Sequence, residues 1–163
     1  GSWITEALRG VVAIDESLAR VDQVKRGSIH GDTVDRLRAA LQVRALAGQW
    51  GAVDELACDA RVLAETGGAP ELTAMADWAQ ALRLAQAGDA SRAAALGEAA
   101  CAALVARGER YTAARMLAEL LIRLDDAAPP GLANTTAQRL EAMGARTTAA
   151  AVRALASAPD GDG

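Results

Sequence analysis

Phenylalanine is absent from this chain, and three Trp and one Tyr are its whole aromatic complement. Strand-built cores draw on aromatic and β-branched side chains, so a ring-poor sequence argues against a β-sandwich. Histidine occurs once, at His30, and cysteine twice, at Cys58 and Cys101. One His, two distant Cys and scattered carboxylates do not make a metal site, and no metal or other cofactor is expected. Neither a Gly-x-Gly-x-x-Gly nor a Walker-type phosphate loop is present, and no Gly-x-Ser-x-Gly elbow presents a serine nucleophile. Apolar stretches are broken by Arg, Asp or Glu well before the roughly 18 residues that a membrane helix needs. No signal peptide is visible. A cytoplasmic location is therefore expected, with Cys58 and Cys101 as buried free thiols behaving as small hydrophobes. Seventeen Lys and Arg are interspersed among 21 acids for a net charge of −4, and the pI is near 5.0. Nucleic-acid modules carry a basic stripe, so no direct nucleic-acid contact is expected.

What the chain does contain is alanine, roughly a quarter of its 163 residues and the strongest helix former. Apolar residues total 52%. Small side chains let helix axes approach closely, so the composition points to an all-α fold.

The periodicity agrees. Ile4, Ala7, Leu8, Val11, Ile14, Leu18 and Val21 recur at spacings of three and four, which predicts a long first helix closing at Lys25-Arg26-Gly27. A loop is expected over Gly27–Gly31, with Asp32 and Thr33 offering N-cap oxygens to a second helix from Val34 to Gly48. A turn at Gly48-Gln49-Trp50 leads to a third, ending Leu63 to Gly67. Pro70 suits the first turn of a fourth, which runs through Trp78 to Gly88, and Asp89 caps a fifth ending at Gly108. A sixth covers Glu109 to Asp125, Pro129-Pro130 opens a seventh that closes at Gly144, and an eighth covers Arg146 to Ala156.

The order repeats. The first helices of successive pairs start near Val34, Leu72 and Tyr111, 38 and 39 residues apart. Their second helices close on Leu63/Gly67, Leu104/Gly108 and Leu140/Gly144, a pattern in which Gly takes a left-handed cap. Helix pairs of this length complete their core by stacking on neighbours. The expected architecture is TPR-like: antiparallel pairs stacked into a right-handed α-α superhelix of about eight helices. Residues 1–31 form an N-terminal helix and loop, a cap or the second member of a truncated pair. Repeats follow at 32–69, 70–108 and 109–144, then a final helix at 145–156 and a linker-like tail at 157–163. The Gly1-Ser2 start resembles a cleaved tag, and with the tail it suggests a piece of a longer protein.

Candidate chemistry is thin. Ser28, His30 and Asp32 share one loop, but residues two apart rarely converge into a hydrolytic set, and no enzyme is expected. Thr135, Thr136 and Gln138 resemble a recognition helix, yet Asp125-Asp126 and the Pro-Pro turn argue against a helix-turn-helix. Binding is the better reading. Arg44, Arg83 and Arg123 recur 39 and 40 residues apart on first helices, a guanidinium ladder suited to carboxylates. Cations near helix C-termini are also what the dipole favours. Together with Arg115 and with Trp78, whose other and favoured reading is a core side chain, these residues are the candidate lining of a concave groove. Trp50 is expected to staple neighbouring pairs, and Tyr111 to open its helix with its hydroxyl in water.

Glu109-Arg-Tyr-Thr-Ala-Ala-Arg115 and Thr136-Ala-Gln-Arg-Leu-Glu-Ala-Met-Gly-Ala-Arg146, followed by a last Ala/Arg helix, resemble the end of large actinobacterial-type ATPase regulators. In that family a STAND-type ATPase precedes TPR-like repeats, and a LuxR-type helix-turn-helix commonly ends the chain. The resemblance spans residues 34–157 in pattern and 109–156 in wording. It implies a sensor or interaction arm of a transcriptional regulator, whose partner is a protein, a peptide, a neighbouring domain or a small-molecule inducer. Neither the ATPase motifs nor the terminal helix-turn-helix lies in this sequence. The competing expectation is a structural scaffold or dimerisation module with no small-molecule ligand.

Overall fold

A computed structural model describes residues 30–157. Among them are seven α-helices, one 3-10 turn and no strand: α1 (His30–Leu46), α2 (Trp50–Thr66), α3 (Glu71–Gln86), α4 (Ala90–Ala106), α5 (Arg110–Leu124), the turn Asp125–Ala127, α6 (Pro130–Ala142) and α7 (Arg146–Ser157). The fold is all-α, as the composition requires. The helix expected before Lys25 and most of the tail lie outside the described residues. Two compact units divide between Ala79 and Gln80, inside α3.

In the first unit α1 packs against α2. Helix α1 begins earlier than expected, at His30, so Asp32 and Thr33 lie inside its first turn and not ahead of it. Asp32 instead accepts from Arg36 Nε one turn on, at 3.1 Å, and its charge still complements the positive helix start. Arg61 of α2 and Asp77 of α3 pair at 2.9 Å across a half-exposed surface, a contact of the kind worth about 0–1 kcal/mol.

In the second unit α5 is the central element, packed against α4, α6 and α7. Its sequence explains that position. Ala113, Ala114, Met116, Leu117, Ala118, Leu120, Leu121 and Leu124 are all buried, covering more than one face. A helix apolar on several sides must be surrounded. Helix α4 is simpler: Ala93, Gly97, Ala100, Cys101 and Leu104 form one buried stripe at helical spacing. Helix α6 packs on α7, with Arg153 of α7 donating to Glu141 of α6 at their edge.

Four turns share one geometry. The N–H groups of Gln49, Asp89, Glu109 and Ala145 reach back to the carbonyls of Arg44, Leu84, Leu104 and Leu140. The preceding Gly48, Gly88, Gly108 and Gly144 have φ of 73°, 87°, 86° and 85°. These are Schellman caps, which satisfy the last carbonyls and reverse the chain within three residues. Asp89 caps α4 as its sequence predicts, accepting from the Arg92 N–H, and Pro130 opens α6. Gly67 departs from the pattern. Its φ is −105°, and the left-handed conformation passes to Gly68 at 70°, because the Gly67-Gly68 pair lets the chain leave α2 one residue later.

Where α4 crosses α5, Gly97 is buried, and a Cβ built there would collide with Leu120 Cδ2. Leu120 is itself fully enclosed, so it has little room to turn. For Gly97→Ala, overpacking of about 1–3 kcal/mol opposes a helix-propensity gain of about 1 kcal/mol. We expect a net loss of stability in denaturant unfolding. In the Leu120→Ala background the same change should become neutral or stabilising, so a double-mutant cycle reads the contact directly. Equal effects of Gly97→Ala in both backgrounds would show that Leu120 does not limit the crossing.

Candidate functional site

The five residues expected to line a concave groove fall out differently. Trp78 does not belong there: it is 1% exposed, a core side chain with no face for a partner. Its ring occupies space that a ring-poor core has few other means to fill. Arg44, Arg83 and Arg123 are half-buried, each in the last turn of its helix, where a cation opposes the negative end of the dipole. Arg44 Nη1 donates to Gln49 Oε1 at 3.0 Å across its cap. Arg115 Nη1 donates to the Tyr111 hydroxyl at 3.1 Å, its guanidinium 5.8 Å from the ring centroid. Arg44 and Trp78 belong to the first unit, and the other three to the second.

The second unit holds a trough of about 1060 Å³ that none of these five lines. Helix α5 supplies its floor through Ala113, Ala114 and Leu117. Helix α4 supplies one wall through Cys101, Ala102 and Val105, and α6 the other through Leu132, Thr135 and Thr136. The chain reverses at each connection, which sorts the polar groups by end. Arg110, Tyr111, Arg139 and Met143 gather where α4 and α6 finish and α5 begins, while Glu98 lies towards the other end with Gly131. Tyr111 is 48% and Met143 36% exposed, two of the large hydrophobic side chains that the described residues leave in water.

Two polar groups line the middle. Thr136 is 1% exposed, and its hydroxyl has no hydrogen-bond partner. Its neighbour Thr135 differs, donating back to the Gly131 carbonyl at 3.0 Å. Cys101 on the facing wall is buried, and desolvation pushes its thiol from 9.0 up to about 12. It stays protonated and is a poor nucleophile at neutral pH. Cys58, expected to be buried as well, is exposed on α2, because it falls on the helix face that α1 does not cover. Asp32 is taken up with Arg36, and Ser28 lies outside the described residues. No group of three or more His, Cys, Asp or Glu suited to a metal occurs among the described residues.

Comparison with protein-family models, with curated proteins and with solved structures finds no match.

The sequence did hold a signal for the trough. Ala113-Ala114 on the floor and the Thr135-Thr136 pair in α6 are small residues where a closed helical core would place Leu.

Two predictions follow from the buried polar pair. Thr136→Val keeps the shape and removes an unpaired hydroxyl, whose burial costs about 1–3 kcal/mol. Denaturant unfolding should show a gain of about 1 kcal/mol or more, whereas a loss would reveal a hydrogen bond to water or protein. For Cys101 the folded thiol titrates above the unfolded one, so its contribution is intact below pH 9 and lost as pH rises towards about 12. The stability difference between wild type and Cys101→Ala should be flat up to pH 8.5 and shrink at pH 10. A difference independent of pH would contradict the raised thiol.

Proposed function

We propose that this chain is a non-catalytic, TPR-like interaction or ligand-sensing module, and that the trough over α5 is its binding surface. The observation that carries the reading is the trough's chemistry: an apolar floor of small residues, cations at one end and an anion towards the other. Such a surface recognises shape and charge. The nucleophile that lines it, Cys101, is held protonated. That favours binding over covalent chemistry. The setting within a larger transcriptional regulator, with the repeats stacked as a superhelix, rests on the sequence resemblance of residues 109–156. In that setting occupation of the trough would bias the curvature of the stack.

The reading is tested with 8-anilinonaphthalene-1-sulfonate, an apolar anion that fluoresces when taken out of water. The full chain should bind it saturably, with one site per chain. Ala102 is an exposed wall residue, so Ala102→Trp should fill the trough without disturbing the core and abolish the signal. Ile122→Ser, on an exposed position away from the trough, should leave it unchanged. Fluorescence that Ala102→Trp does not alter would remove the trough as the binding surface and leave a structural scaffold as the better account.

A further inference from the structure

Resting on the trough as a binding surface, we propose that its occupant is an amphipathic α-helix of a partner protein, docked parallel to α5 with acidic residues in its first turn. Three observations lead there.

The first is shape. The trough is a three-sided channel of about 1060 Å³, at the upper limit of the roughly 300–1,000 Å³ typical of small-ligand pockets. It follows α4 from Glu98 to Val105, about 10 Å at helical rise. A helix is about 10–12 Å across, so about two turns of one would occupy the channel. Ala113 and Ala114 close the floor as buried residues, and the exposed Ala102 on the wall leaves room above them for the occupant to supply the bulk. Leu, Ile or Met at i, i+3 or i+4, and i+7 would enter between them.

The second is charge. Arg110 and Arg139 mark one end and Glu98 lies towards the other. The Arg end is also where α4 and α6 terminate, so their C-terminal dipoles point there. An occupant helix entering with its N-terminus at that end opposes those dipoles favourably. Acidic residues in its first turn then meet Arg110 and Arg139 and complement their own helix start. A basic residue about two turns on meets Glu98.

The third is what the trough leaves uncovered. Tyr111 and Met143 stand in water beside the two Arg, which is the pattern of an apolar contact ringed by charge.

The test is a selection from a displayed library of randomised peptides, helical and extended, against the full chain, with Ala102→Trp as counter-selection. Survivors should show the i, i+3/i+4, i+7 apolar spacing with Asp or Glu in the first turn, and should gain helicity on binding by circular dichroism. Arg110→Glu together with Arg139→Glu should weaken them at least tenfold by fluorescence anisotropy. Exchanging the first-turn acids of the peptide for Lys should recover most of that loss. Extended binders, helical binders indifferent to the double charge reversal, or no binder sensitive to Ala102→Trp would each overturn the helix proposal. In any of those cases saturable dye binding that Ala102→Trp abolishes would still support the trough as a surface for another class of ligand. Loss of both results would remove the trough reading itself.

Discussion

The close approach of α4 to α5 at Gly97 is the contact on which the second unit depends. A helix built from alanine has little volume to offer a core, so density has to come from the nearness of the axes. Gly97 has no Cβ, and Leu120 reaches into the space that one would take. Met116, Leu117, Leu120 and Leu121 then fill what the small residues of α4 leave. The cost is local: a buried glycine in mid-helix gives up about 1 kcal/mol of helix propensity. Burying one leucine side chain returns about 1.5–3 kcal/mol, so the exchange favours the fold. Helix α5 also packs on α6 and α7. Because α4 and α6 both lean on the same helix, the line between them becomes the trough.

The Schellman turns do for direction what glycine packing does for distance. Each reverses the chain within three residues and uses the last carbonyls of its helix. With the second reversal between α5 and α6, α4 and α6 run the same way and end together, with Arg110 and Arg139 beside those ends. The dipole justifies Arg139, in the last turn of α6. It does not justify Arg110, which opens α5 and sits at that helix's positive end. A cation in an unfavourable place on its own helix is better explained by what it faces than by what carries it. The connection between α5 and α6 is the irregular one: Asp125 takes φ 50° without being glycine, and the two prolines that follow fix the entry into α6.

Much of the helix order was legible. Periodicity placed the described helices, and Asp89, Gly108, Pro130 and Gly144 marked boundaries through chemistry that acts within a few residues. Misreadings occurred where two local signals competed or where burial decided. Asp32 is equally suited to capping a helix and to pairing one turn along, and the choice fell to Arg36. Gly67 and Gly68 offered two residues for one left-handed position. Cys58 and Trp78 have similar apolar neighbours in sequence, yet one is exposed and the other enclosed. Only the packing partners distinguish them. The trough was missed for a related reason. Attention to spaced arginines selects helix C-termini, where a cation is expected anyway, whereas a trough is a deficit of volume spread over three helices.

That deficit bears on why the middle of the trough is built as it is. Valine at position 136 would match threonine in shape and leave no hydroxyl to desolvate. Cys101 faces the same region as a thiol that burial keeps protonated. The unpaired Thr136 hydroxyl runs against what a helical core selected for stability alone would contain. Departures from the packing rules scattered through a protein reflect drift in a tolerant fold. The Thr136 hydroxyl and Arg110, set against its own dipole, lie along one channel, and the proposed binding role rests on that coincidence.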